Sequence, residues 1–175
     1  RAIMEAACYL VKEHDFKIEP EIMVPLIGIL EEFKALKYEI TEVCDQVLAR
    51  ENIKLTYRIG TMIEIPRAAL IADKLAPLCD FFSFGTNDLT QMTLGLSRDD
   101  SSSFLPRYIE RGILKHDPFV SLDQEGVGEL IRIACEKGRK ANPKLKIGIC
   151  GEQGGDPSTI EFCHRLGFNY VSCSP

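Results

Sequence analysis

The chain reads as an α/β protein built on a parallel sheet, and three observations carry that reading. Short apolar runs recur along it, amphipathic stripes fall between them, and turn residues mark the junctions. The first run, Ile22 to Gly28, is too brief for a helix and is interrupted by Pro25, which predicts a buried strand. Ile40, Val43, Cys44, Val47 and Leu48 then recur at helical spacing, the stripe of a helix lying on a sheet. Strand character returns at Leu55, Tyr57 and Ile59 and runs through Met62-Ile63-Glu64-Ile65. There Pro66 closes the strand and opens a helix, where its missing N–H costs nothing. That helix ends before Asp80, and Phe81 to Phe84 form the next strand.

Residues 95 to 121 interrupt the rhythm. Ser101-Ser102-Ser103, Pro106, Gly112 and Asp117-Pro118 predict a long excursion of the kind that is functional or mobile. A helix from about Asp123 follows, with Val127, Leu130, Ile131 and Ala134 on one apolar face. Lys146 to Cys150 is a strand and Gly151 to Gly155 a loop. Asp156, Pro157 and Gly167 are the N-cap, first residue and terminator of another helix, and Tyr170 to Cys173 is the last strand. Five strands alternating with helices imply right-handed crossovers, with every strand's carboxyl end on one face.

Composition narrows the function classes. A chain of 175 residues is the size of one domain, and 27% charged with 45% apolar residues is ordinary for a globular protein. A net charge of −5 without a basic cluster argues against nucleic acid. No apolar run is long enough to cross a bilayer and the first residues lack a signal-peptide pattern, so no membrane role and a cytoplasmic location are expected. Seven cysteines without a Cys-x-x-Cys pair read as reduced thiols, and adjacent Cys163 and His164 match no standard zinc spacing.

The most informative run is Ser83-Phe84-Gly85-Thr86-Asn87-Asp88-Leu89-Thr90-Gln91. Gly85 and Thr86 leave room for a ligand to approach the backbone, while Asn87 and Asp88 offer oxygen ligands. The competing reading is a strand ending in an Asx turn. Glu64 lies 24 positions before Asp88, about a helix plus a strand, so the two fall at adjacent strand ends. Two carboxylates on one rim repel unless a cation lies between them, and Mg²⁺ suits such a pair; otherwise Glu64 caps a helix or pairs with Arg67. Cys150 ends a strand beside a glycine-rich loop, where a thiol can give or take a proton. Most of the other cysteines read as core residues. The Gly151 to Gly155 loop is also a candidate anion cradle at the helix that follows. His14, His116 and His164 fall at no strand end and read as structural.

The residues that carry this chemistry resemble the phosphoenolpyruvate-utilising enzymes. The resemblance lies in Gly60-Thr61-Met62-Ile63-Glu64-Ile65-Pro66-Arg67-Ala68-Ala69-Leu70, in Phe81 to Asp100 and in Gly148 to Pro157, and it covers essentially the whole chain. His116-Asp117-Pro118-Phe119, Leu122-Asp123-Gln124 and Tyr170 to Pro175 are similar to one branch, the enzymes that make phosphoenolpyruvate from pyruvate with ATP and phosphate. Phosphoenolpyruvate synthase and the sugar-transport enzyme I share the Asn-Asp and Cys-Gly motifs but not these flanks.

By position, the resemblance implies that Glu64 and Asp88 are Mg²⁺ ligands. Gly85, Thr86 and Asn87 would hold pyruvate or phosphoenolpyruvate beside them, Arg98 would approach the phosphoryl group, and Cys150 would be the acid/base at the enolate's methylene carbon. The implied reaction exchanges a phosphoryl group between a phosphohistidine on another domain and pyruvate, within ATP + phosphate + pyruvate giving AMP + diphosphate + phosphoenolpyruvate. The implied fold is the C-terminal part, about five of eight βα units, of a TIM-type (β/α)8 barrel. Residues 1–175 would be part of the substrate-binding domain of a larger enzyme, inactive alone, with the nucleotide-binding and phosphohistidine domains and two substrate-binding arginines lying elsewhere. The intact enzyme would be a homodimer of the cytoplasm or an organelle. The family carries histidine where this chain has Gln153, a change that keeps hydrogen bonding and loses titration. Two other classes stand beside this reading: a non-catalytic module that pairs through open strand edges, and a metal-dependent pyruvate-enolate lyase or aldolase.

Overall fold

Five short strands, all parallel and standing side by side in chain order, organise the computed structural model, which describes residues 1–173. They are β1 (Glu21–Val24), β2 (Arg58–Ile63), β3 (Phe81–Phe84), β4 (Lys146–Cys150) and β5 (Tyr170–Ser172). Helix α1 (Ala2–His14) precedes β1, and α2 (Leu30–Glu51) links β1 to β2. The short helices α3 (Pro66–Leu70) and α4 (Ala72–Leu75), with a 3₁₀ turn, link β2 to β3. Between β3 and β4 run α5 (Thr86–Leu94), α6 (Arg98–Ser101), α7 (Leu105–Glu110) and α8 (Val127–Ala141), and α9 (Pro157–Arg165) leads into β5.

A strand order without reversal is a singly wound arrangement, in contrast to a doubly wound sheet, whose order reverses at a switch point. The sheet also curls. Lys146 Nζ on β4 lies 2.8 Å from Glu21 Oε1 on β1, although a flat sheet would hold these strands about 14 Å apart. Singly wound, parallel and curled, the chain is a five-strand arc of a TIM-type barrel.

Strand alternation divides the two faces. Ile59, Ile63, Phe82, Phe84, Ile147 and Ile149 point outward and join Ala68, Ala72, Leu75, Val127, Ile131 and Ala134 of the helices in the main core. A smaller cluster of Met4, Cys8, Cys44 and Val47 packs α1 on α2. The alternate positions face inward, where Gly148 opposes Tyr170 in register and a Cβ on Gly148 would fall 2.2 Å from the tyrosine ring. At the opposite end of the sheet, Asp80 and Asn169 pin the register by accepting the Ile59 and Ile147 N–H groups, each at 2.8 Å.

Several boundaries differ from the sequence expectation. The first strand ends at Val24, because Leu26 takes a left-handed backbone (φ 55°) that no strand continues. Val43 is exposed, and Phe33, Cys44 and Val47 are the buried residues of α2. The helix expected from Asp123 begins at Val127, because the Asp123 carboxylate accepts the amides of Glu125, Gly126 and Val127 in a preceding turn. The excursion is a folded connection carrying α6 and α7. Of the last flank quoted for the family resemblance, Ser174 and Pro175 lie outside the described residues. No helix among the described residues is long and apolar enough to cross a membrane.

Asp156 caps α9 as expected, its carboxylate accepting Thr159 N–H at 2.9 Å, and Gly167 (φ 69°) ends that connection. Burial pulls the Asp156 carboxyl upward, but bonds from Ser158, Thr159 and Ser121 outweigh it and hold the group at about 2. A carboxyl depressed in the fold stabilises above its unfolded value, near 3.8, and loses that contribution as pH falls toward about 2. We expect Asp156→Ala to cost about 1 kcal/mol at neutral pH, with the gap to wild type narrowing below about pH 4. Urea unfolding at stepped pH checks this, and a gap constant with pH would contradict it.

Candidate active site

Parallel strands deliver their carboxyl ends to one rim. Glu64 follows the last residue of β2, Gly85 follows β3, and Cys150 closes β4. The residues singled out in the sequence therefore converge, with Glu64 and the Gly85 to Asp88 run following the ends of adjacent strands.

Glu64 is 3% exposed, and its Oε1 accepts the Leu26 N–H at 2.6 Å. This bond holds Leu26 in its left-handed conformation in the loop after β1. The other oxygen dictates the next residue: a Cβ on Gly85 would fall 2.7 Å from Glu64 Oε2 and 2.5 Å from Met62 Sδ. Burial raises the Glu64 carboxyl above the ordinary carboxylate range; the Leu26 N–H opposes the rise and the neighbouring Asp88 carboxylate adds to it. Glu64 neither caps α3, whose N-cap is Ile65, nor bonds Arg67, which donates to the Gly28 carbonyl.

In place of the competing Asx turn the run starts α5, with Gly85 as N-cap and Thr86, Asn87 and Asp88 in the first turn. First-turn amides have no intrahelical acceptor, so this end of α5 presents N–H groups and partial positive charge to the rim. Asp88 Oδ1 accepts Gln91 Nε2 at 3.0 Å, and Gln91 Oε1 accepts the Arg98 N–H at 2.8 Å. Asn87 Oδ1 accepts the Glu152 N–H at 3.2 Å, and the Arg98 guanidinium pairs with the Glu152 carboxylate. Arg98 is thereby tied to the rim while remaining exposed. Thr86 is fully buried and gives its hydroxyl to Gln153 Oε1 at 2.7 Å.

The Cys150 thiol is half-buried, with Ser83 Oγ donating to its Sγ at 2.9 Å. Burial pushes this thiol up, the Ser83 bond works against the rise, and Glu64 adds to it. Tyr170 lies beside Ser83 on the inner face and its own hydroxyl is likewise raised by burial, with Ser83 opposing. Sequence reasoning gave no role to Ser83, Tyr170 or the Leu26 backbone. Ser83 lies within β3 and Tyr170 opens β5, at inward positions that only the strand register reveals.

Among the described residues, no group of three or more His, Cys, Asp or Glu side chains stands close enough to hold a metal ion alone. The Glu64 and Asp88 pair nevertheless suits Mg²⁺, which takes one or two carboxylates and completes its shell with water and substrate oxygens. Burial is the main cause of the raised Glu64 carboxyl and the nearby Asp88 adds to it; a divalent cation between the two groups would offset both. The Gly151 to Gly155 loop provides no anion cradle at α9: residues Glu152–Gly155 form a 3₁₀ turn, and the Asp156 carboxylate already serves the helix start. His14, His116 and His164 are exposed and stand at no strand end. Cys8, Cys44, Cys79, Cys135 and Cys163 are buried, whereas Cys173 is exposed.

Comparison with known proteins identifies the family and the fold. A family model described as PEP-utilising enzyme, PEP-binding domain, matches residues 1–175. The chain is 57% identical over its full length to pyruvate, phosphate dikinase of Clostridium symbiosum, of which it covers 20%. It is 55% identical over its full length to that of Rhizobium meliloti (strain 1021), again covering 20% of the relative. It is also 57% identical to the chloroplastic pyruvate, phosphate dikinase 1 of Arabidopsis thaliana, covering 18% of it. The chain thus spans about a fifth of the length of the curated relatives it matches. The crystal structure of citrate synthase SbnG aligns with 86% of this chain and 54% of its own at a TM-score of 0.51 and 14% identity, a likeness of fold alone. Matched from end to end by the family model, the chain belongs to the PEP-utilising enzymes and corresponds to their PEP-binding domain.

Proposed function

We propose that this chain is the pyruvate- and phosphoenolpyruvate-handling part of a pyruvate, phosphate dikinase. The reaction is Mg²⁺-assisted phosphoryl exchange between pyruvate and a phosphohistidine carried on another domain of the same enzyme. The observation that carries the reading is the Cys150 thiol, half-buried, bonded by Ser83 and standing on the same rim as the Glu64 and Asp88 carboxylates. The intact enzyme as a homodimer, and its ATP and phosphate chemistry on a separate nucleotide-binding domain, are carried by the family resemblance.

In this reading Glu64 and Asp88 hold Mg²⁺, which when bound stabilises negative charge developing on the enolate oxygen. The first-turn amides of α5, those of Thr86, Asn87 and Asp88, receive the substrate's anionic groups, because unpaired helix N-terminal N–H groups favour anions. Gly85, whose own N–H donates to the Ile63 carbonyl at 3.2 Å, serves by leaving room beside them. Thr86 acts through its backbone, since its hydroxyl is committed to Gln153. Arg98, held at the rim by Glu152 and Gln91, meets the phosphoryl group from the solvent side. Burial keeps the Cys150 thiol protonated at neutral pH, the form that gives a proton to the enolate's methylene carbon. The hydrogen bond from Ser83 steadies the thiolate left behind, which takes a methyl proton in the reverse direction.

Two outcomes test this in the intact enzyme. Cys150→Ala should reduce pyruvate methyl-proton exchange by on the order of 10²-fold or more while nucleotide chemistry persists, as followed by deuterium incorporation. Retained exchange would remove Cys150 from the mechanism, and release of an aldehyde in place of exchange would indicate a lyase or aldolase. Asp88→Asn should raise the Mg²⁺ concentration needed for half-maximal exchange by about tenfold or more. An unchanged Mg²⁺ requirement would show that Asp88 is not a ligand.

A further inference from the structure

Gln153 is fully buried in the 3₁₀ turn after β4, and its amide is bonded on both sides. Oε1 accepts the Thr86 hydroxyl at 2.7 Å, and Nε2 donates to the Pro118 carbonyl at 2.9 Å and, more weakly, toward Thr90 Oγ1 at 3.5 Å. Those partners come from two separate elements, the start of α5 and the excursion between α7 and α8. Thr86 is confined from the other side as well, because a Cβ on Gly151 would fall 2.1 Å from its Oγ1.

We propose that Gln153 is a positioning residue: a neutral clamp that fixes the first turn of α5 and the Pro118 segment against the end of β4, and so sets the geometry of Thr86, Asn87 and Asp88. This rests on the reading of the rim as the pyruvate and phosphoenolpyruvate site and adds to it a residue that acts without touching substrate. The chemistry required is specific. One side of the group must accept from a buried hydroxyl while the other donates to a buried carbonyl, and an amide does both at every pH. A carboxyl group does both only when protonated, and an imidazole only when neutral.

Thr86 and Thr90 of α5 and Pro118 of the excursion, the groups bonded to the amide, do not titrate. The ionisable residues next to these positions are turned elsewhere: Glu152 pairs with Arg98, Asp117 accepts the Phe119 N–H, and Asp88 accepts Gln91. A titrating group placed at this position therefore reports on the clamp itself, and the two replacements should act with opposite sign.

The test compares Gln153→Glu, Gln153→His and Gln153→Met with wild type in the intact enzyme, from about pH 5.5 to about pH 9. Relative to wild type at each pH, Gln153→Glu should lose about tenfold or more in kcat/KM for pyruvate exchange as pH rises. Gln153→His should lose a similar factor as pH falls, and Gln153→Met should be impaired by a constant factor. Hydrogen-exchange protection of residues 113–121, corrected for intrinsic rates and measured without pyruvate, should follow the same two limbs. Profiles for the Glu and His variants parallel to wild type, or limbs of the same sign, would overturn the clamp. If Gln153→Glu does not fold, the acid limb of Gln153→His decides alone. Wild-type enzyme lacking pyruvate exchange would refute the functional reading, while the protection limbs would still decide the clamp.

Discussion

A carboxylate removed from water has to be compensated, and at the end of β2 that requirement shapes the residues around Glu64. One oxygen takes the Leu26 N–H at 2.6 Å, which holds a bulky residue in a left-handed conformation that ordinarily costs about 1–2 kcal/mol. The other oxygen leaves no room for a side chain at Gly85, so the chain can start α5 directly above it. The helix start then brings Asp88 beside Glu64, where α5's N-terminal end favours negative charge. A loop, a glycine and a helix N-terminus thus answer to the same buried group.

The sheet makes this local solution into a site. Because the strands are parallel and consecutive, outward positions fill an apolar core with isoleucine and phenylalanine, and inward positions remain available for Ser83, Cys150 and Tyr170. Stability and chemistry use alternate residues of the same strands. The excursion is bound to that scaffold at its two ends, by Arg98 to Glu152 and by Pro118 to Gln153, so a segment with little regular structure inherits the placement of the rim.

Much of this was legible in the sequence where local physics decided it. The bounds of β3 and β4 follow from short apolar-rich runs that stop at Gly85 and Gly151, and Asp156-Pro157 announces α9 because capping is a local interaction. The apolar run overstates the first strand because Leu26 is apolar, and its departure from the strand depends on a carboxylate 38 positions away. α6 and α7 are too short to show a period, and Asp123 resembles a helix start while capping a turn before it. At the site, Glu64, Asp88 and Cys150 were legible as strand-end residues with reactive side chains. Ser83 and Tyr170 were not, because their role depends on which way a strand faces. A backbone donor such as Leu26 N–H leaves no mark on composition.

The paired carboxylates are best tested by metal binding in the intact protein, with Mn²⁺ as a spectroscopic stand-in for Mg²⁺ and pyruvate present. We expect electron paramagnetic resonance titration to show Mn²⁺ held by wild type and weakened by about tenfold or more in Glu64→Gln, with the fold retained. Equal Mn²⁺ affinity in the two proteins would contradict a cation site formed by Glu64 and Asp88.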